Sequence, residues 1–196
     1  MSTPLEYPRE CLAGGARHLL RTFPTDSVLT GVPRELAAFG PEPCRRGRHW
    51  SWDGVEFTIV HPRALRSDND GSCVLRVSTA GGAVLLPGDI ERSAEWSLVE
   101  HYGDQLHAEV LVAPHHGSKT SSSPAFIDSV APELVLFPVG YRNRYGFPHQ
   151  PVLRRYRERG VRMLGTARDG AITVKLAPGQ APVVQRHRRK VLRFWH

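Results

Sequence analysis

Apolar and polar positions follow two different rhythms along the chain, and the change from one to the other predicts the layout of the fold. Positions 13–21 (AGGARHLLR) read as a helix opened by the Gly14-Gly15 pair. Pro24, Pro33, Pro41 and Pro43 then punctuate the chain, leaving room for a short strand at 28–29 and a short helix at 34–39. Trp50, Trp52, Val55, Phe57 and Ile59 alternate with polar neighbours about Asp53-Gly54, the pattern of a β-hairpin. After a polar loop, 72–78 and 83–86 flank Gly81-Gly82 as a second hairpin, which ends at Pro87-Gly88-Asp89. From there the rhythm becomes helical. Positions 93–102 place Ala94, Leu98 and Val99 on one side of a helix. A buried strand at 109–113, a helix at 124–130 and a second buried strand at 134–139 follow. An amphipathic helix at 151–160 closes on a glycine, 162–164 and 171–176 are the last strands, and Pro178 begins a linker and basic tail. Hairpins first, then strands alternating with helices, predict an α/β fold of mixed sheets with covering helices.

Composition narrows the class. The 196 residues suit one domain, with 40% hydrophobic and 23% charged, which excludes a disordered or collagen-like chain. No apolar run approaches the roughly 18 residues of a membrane helix. Residues 1–9 lack the apolar core of a signal peptide, so the isolated chain is expected in the cytoplasm. The net charge of +7 favours anionic partners, nucleic acid first and an anionic membrane surface second; an Arg-rich proteome gives the same number. Arg186, Arg188, Arg189, Lys190 and Arg193 carry most of that excess, with no acid after position 177. Together with Phe194-Trp195 they read as a nucleic-acid contact, a membrane contact or a solubilising tail. Cys11, Cys44 and Cys73 form no C-x-x-C pair and no disulfide pattern, so reduced thiols are expected and thiolate-held zinc is not.

Three segments hold candidate chemistry, each just past an apolar strand. The first ends in Asp89, although turn aspartates are common. The second is Pro114-His115-His116-Gly117-Ser118. Consecutive side chains point apart, so one histidine would face a given metal while the other meets a second metal, a phosphate or a supporting carboxylate. The following stretch, with Ser118, Lys119 and Thr120 before three more serines, can cradle an anion or simply be a flexible polar loop. The third is Tyr141-Arg142-Asn143-Arg144-Tyr145-Gly146-Phe147-Pro148-His149, readable as a phosphate or nucleic-acid contact or as a solvated basic loop.

The order hairpin, P-G-D, helix, strand, P-H-H-G-S, helix, strand, N-R-Y-G-F-P-H resembles the later part of a metallo-β-lactamase-fold domain. More narrowly, it is similar to the C-terminal soluble domain of the ComEC family of competence proteins, large membrane proteins of DNA uptake. The resemblance runs from about Gly14 to Leu176; WSWDGVEFTIVHP, DNDGSCVL and GTARDG add to it. It implies a partial αββα metallo-β-lactamase-like sandwich, the later two-thirds, over 1–177, with 178–196 as a basic tail. It also implies a divalent metal (manganese or zinc), DNA as partner, and attachment in the intact protein to a membrane channel domain at the inner membrane.

By that resemblance Asp89 and His115 would be catalytic. Asp89, His115 and His116 would be the metal ligands, with His115 the nearer match to the family's late ligand. Ser118, Lys119, Arg142, Arg144 and His149 would contact phosphate. The reaction implied is metal-assisted phosphodiester hydrolysis, in which two cations activate water and hold the phosphate. One departure stands against it. The signature H-x-H-x-D-H belongs just before Gly14-Gly15, where this chain has Cys11 and Leu12 in place of Asp-His. Glu10, Cys11 and Asn69 are left as members of a vestigial site, and impaired hydrolysis is the expectation. The alternative is an inactive nucleic-acid-binding or interaction module, and a small-molecule metallohydrolase is a third reading. A domain shortened this way is also expected to leave a sheet edge and an apolar face uncovered.

Overall fold

The structure, a computed structural model, describes residues 10–66 and 68–190, with side chains from 15 to 188. The elements run α1 (Glu10–Thr22), β1 (Leu29–Thr30), β2 (Glu42–Pro43), β3 (His49–Trp52), β4 (Val55–His61), β5 (Val74–Thr79), β6 (Gly82–Leu86) and α2 (Arg92–Tyr102). Then come β7 (Val110–Val112), α3 (Pro124–Val130), β8 (Leu134–Phe137), α4 (Gln150–Glu158), β9 (Arg162–Gly165), α5 (Thr166–Asp169), β10 (Ile172–Ala177), β11 (Gln180–Arg186) and α6 (His187–Lys190). Strands β3 to β9 lie side by side in one seven-stranded sheet, in chain order. The two hairpins make its antiparallel part, and β6 to β9 are parallel, joined by helical crossovers. The expected mixed sheet with covering helices is the architecture found.

Alternation along each strand divides the apolar residues between two faces. On one face Val60, Val74, Leu85, Leu111, Val135 and Phe137 pack with Leu98 of α2, Phe126 and Ile127 of α3 and Tyr156 of α4, forming the main core. On the other, Val110, Leu134 and Leu164 are covered by Ile172, Val174, Leu176 and Val184 from the β10–β11 hairpin. The domain is therefore layered as hairpin, sheet and helices. Strands β3 and β4 form the far side of the sheet. There Trp50 stacks on Phe57 at 5.2 Å between ring centroids, and Trp52 on edge strand β3 is 70% exposed.

Three expectations are corrected. First, Cys44 and Cys73 form a disulfide, with Cα atoms 5.8 Å apart, tying the segment after β2 to the start of β5. A separation of 29 residues hid the pair, because only the β4–β5 ladder brings the two ends together. Second, the segment read as linker and tail contains β11, paired antiparallel with β10. Pro182 inside it suppressed the strand signal; this is an edge strand, where a missing N–H is tolerated. Third, the cations at its end are partly engaged: Arg186 pairs with buried Asp169 at 3.5 Å, and Arg188 Nη1 donates to the Ala167 carbonyl. Residues 191–196, including Phe194-Trp195, lie outside the described residues, as do the side chains of Glu10 and Cys11.

Candidate functional site

Parallel strands β6, β7 and β8 end side by side, with Leu85 opposite Leu111 and Val112 opposite Leu136. Whatever follows each strand is therefore delivered to one edge, the usual place for a site in a parallel sheet. Asp89 follows β6, the two histidines follow β7, and the Pro138 carbonyl follows β8. The His115 N–H donates to the Gly88 carbonyl at 3.0 Å, locking the first two loops together.

His115 and His116 are both left-handed, at φ +48° and φ +56°. Such conformations cost about 1–3 kcal/mol each for residues other than glycine and gather where function requires them. This backbone sends the two rings to different carboxylates. His116 Nδ1 lies 3.0 Å from the Pro138 carbonyl, which can only accept, so Nδ1 carries the proton. Nε2 then faces Asp89 Oδ1 at 3.5 Å. His115 instead turns Nδ1, buried and without a well-aligned hydrogen bond, toward Glu91 Oε1 at 3.2 Å. The partner of Asp89 is thus His116, whereas the sequence favoured His115.

The supporting groups are closely tied. The Asp89 N–H donates to Ser72 Oγ, whose hydroxyl donates to the Asn69 carbonyl at 2.7 Å. Asn69 Nδ2 and Thr120 Oγ1 both donate to Glu91 Oε1, and the Glu91 N–H donates to Asp70 Oδ1 at 2.7 Å. Asn69 therefore braces Glu91. A cleft of about 390 Å³ opens here, lined by Asp70, Glu91, Arg92, Ser93, Lys119 and Thr120.

The serine loop is built rather than loose. Buried Glu95 accepts the backbone N–H groups of Ser122 and Ser123, the latter at 2.8 Å. Burial raises its carboxyl above the ordinary value, and the Ser123 hydroxyl and these N–H groups oppose the shift. Arg155 Nη1 donates to the Ser121 and Ser122 carbonyls, and the Tyr156 hydroxyl donates to Ser122 Oγ. Ser118, nearly buried, spends its hydroxyl on Thr120 Oγ1 at 2.9 Å, while Lys119 is exposed at the cleft.

The third segment folds onto the second. The His149 N–H donates to the Gly117 carbonyl, and Phe147 sits among His115, His116 and His149 at ring distances of 5.8, 6.4 and 5.2 Å. Gly117 has φ +85°, and a Cβ there would stand 2.6 Å from Pro148 Cβ, so only glycine permits this contact. Arg142 and Arg144 lie further out and exposed.

Asp89, His115, His116, Lys119 and His149 thus gather around one sheet edge, with Arg142 and Arg144 on a projecting loop. Glu91, Glu95 and Phe147 were missed. Glu95 had a signal: an acid inside the apolar stripe of Ala94 and Leu98 is out of place unless it has partners. Among the described residues no group of three or more His, Cys, Asp or Glu converges; Asp89 Oδ1 and His116 Nε2 are two donors where a resident metal takes three or four from protein.

No protein-family model matches the chain. Among curated proteins it is 38% identical over 175 residues to competence protein ComA of Neisseria gonorrhoeae, covering 88% of this chain and 24% of that protein. It is 31% identical over 175 residues to recombination protein 2 of Haemophilus influenzae, covering 88% and 22%. With ComE operon protein 3 of Bacillus subtilis it shares 33% over 149 residues, covering 75% and 19%. Among solved structures, a putative zinc-dependent hydrolase of the metallo-β-lactamase superfamily from Thermotoga maritima aligns with a TM-score of 0.39 and 20% identity, over 60% of this chain and 59% of that one. The chain is a relative of competence proteins. Within that class it belongs to the ComEC family, and it spans about a quarter or less of the length of the relatives it matches.

Proposed function

We propose that the chain is the nucleic-acid-engaging domain of a DNA-uptake competence protein, descended from a metal-dependent phosphodiesterase, and that its own residues bind DNA without completing the hydrolytic centre. The observation that carries this is the Asp89–His116 pair at 3.5 Å, beside a loop with two arginines. With Nδ1 tied to the Pro138 carbonyl, His116 can present to Asp89 only a lone pair or a second N–H. A lone pair facing a carboxylate is a cation's place; a second N–H makes an imidazolium–carboxylate pair. A divalent metal, manganese or zinc, would supply Lewis-acid activation of water and phosphate. Asp89 and His116 are the residues here that would help hold it, and the remaining ligands would have to come from groups such as Glu10 or Cys11 or from a neighbouring segment.

The work left to the described residues is binding. Lys119 and Arg142 offer phosphate contacts, and His149 stands beside Phe147 at the entrance. The membrane channel of the intact protein and its inner-membrane location belong to this reading. Among the described residues no helix is long and apolar enough to cross a membrane. The cytoplasmic placement of the isolated chain gives way, in this reading, to an oxidising compartment, because the Cys44–Cys73 disulfide persists best there.

The test is a DNA-binding titration across a salt series beside a manganese-dependent cleavage assay. Salt-sensitive binding without cleavage is expected. Cleavage lost in Asp89→Ala would overturn the incomplete centre and point to Glu10 or Cys11 as ligands. No binding to any DNA would overturn the nucleic-acid reading.

A further inference from the structure

Residues 141–147 project from the site edge as a braced finger. Asn143 does the bracing: its Oδ1 accepts the Phe147 N–H at 2.9 Å, and its Nδ2 donates to the Phe147 carbonyl at 2.7 Å and to the Gly140 carbonyl at 3.3 Å. One side chain thus clamps both arms, and the His149–Gly117 bond anchors the base. A solvated basic loop has no need of such closure.

The finger carries rings, not only charge. Tyr141 is 70% exposed and Tyr145 44% exposed. Each is flanked by a cation over its ring, Arg142 at 5.3 Å from the Tyr141 centroid and Arg144 at 5.0 Å from that of Tyr145. Tyr145 stacks on Phe147 at 5.4 Å and 21°, and Phe147 lies over His116 at 6.4 Å and 22°. A line of rings, each tilted about 21–22° from the one before, therefore leads from Tyr145 through Phe147 to the imidazole beside Asp89. No acid occurs in the sequence between Glu133 and Glu158.

We infer that this finger is a base-stacking platform for single-stranded DNA, with Tyr141 and Tyr145 as the stacking surfaces and Arg142 and Arg144 as the phosphate contacts. It rests on the nucleic-acid reading above and adds strand selectivity to it. Every base has a π-face, so stacking on tyrosine is tolerant of sequence. Those faces are hidden in a duplex, where phosphates and groove edges are offered instead. Exposed rings interleaved with arginines, on a loop held rigid before any ligand arrives, suit unpaired bases. A phosphate-only contact would use the arginines and leave the exposed Tyr141 ring unused.

The test measures anisotropy of a labelled oligothymidylate, and of the same strand in a duplex, against the full chain and its variants. Tyr141→Ala and Tyr145→Ala should each weaken single-strand binding roughly 5-fold or more and leave duplex binding unchanged. Tyr141→Phe should keep the affinity, since the ring remains. Arg142→Gln and Arg144→Gln should each lower the slope of log affinity against log salt by about 0.7. Single-strand binding that is unaffected by both alanine variants would overturn the platform while leaving the nucleic-acid reading intact. Equal losses on single strand and duplex would do the same. If the wild-type chain binds neither, both fall.

Discussion

Reducing the Cys44–Cys73 disulfide is expected to destabilise the domain substantially, and the size of the effect follows from the loop it closes. The bond joins positions 29 apart. The chain-entropy relation for a loop of that length gives about 12 cal/mol/K, or ~3.6 kcal/mol at 25 °C. For a domain of this size each kcal/mol moves the melting midpoint by about 2–4 °C, so reduction should lower it by roughly 7–14 °C. Cys44 is almost fully buried, which leaves a freed thiol inside the protein instead of restoring it to water and so offers no compensating solvation. The assay is thermal unfolding with and without reductant, beside a thiol titration in denaturant. Oxidised protein should show one reactive thiol, from Cys11, and reduced protein the three present in the sequence. Cys44→Ala with Cys73→Ala should reproduce the reduced value. Three thiols in protein produced under oxidising conditions, or equal midpoints with and without reductant, would refute the reasoning.

Glu95→Ala leaves the Ser122 and Ser123 N–H groups buried without acceptors and opens a cavity; a loss of about 3 kcal/mol in urea unfolding is expected, with faster amide exchange at residues 121–123. Gly117→Ala places a Cβ against Pro148 at φ +85° and should lose about 2 kcal/mol, read from the same unfolding curves. Burial holds the His61 imidazole below its ordinary 6.5, against the opposing bond to the Asp70 carbonyl. The unfolded chain then binds the proton more readily, so stability is intact above about 6.5 and is lost as pH falls from there toward the lowered folded value, by about 1.4 kcal/mol for each unit of difference. His61→Gln should flatten that part of the pH–stability curve.

The parallel half of the sheet was the most legible part of the sequence. Ala108, Val110, Leu111, Leu134, Val135 and Phe137 form short apolar runs bounded by turns, which is how strands buried on both faces read. The helices at Arg92–Tyr102 and Gln150–Glu158 announced themselves by spacing, and their ends moved by only a residue or two. Where the reading failed, the deciding contact was distant. Strand β11 has two adjacent valines and a proline, too little for a local signal; it exists because β10 offers a partner and the sheet offers Val110 and Leu164 to cover. Cys44 and Cys73, far apart in the sequence, are neighbours in the fold where β4 pairs with β5.

The same division runs through the site. Asp89, His115 and His116 were visible because strand ends can be read, and parallel strands deliver their ends to one edge. Which histidine faces Asp89 was not visible, because alternation fails where two successive residues turn left-handed. In an extended chain the rings would oppose one another across the strand; here the turn gives one ring to Glu91 and the other to Asp89. Glu91 then matters as much as the residues the motif named, because its carboxylate collects Asn69, Thr120 and His115 and so fixes where the P-H-H-G loop ends and the cleft begins. Phe147 does the equivalent work on the other side, tying the basic finger to the histidines through its ring. A site held from both sides by residues outside its motif keeps its shape independently of that motif, and this gives the proposed DNA contact an ordered surface to work with.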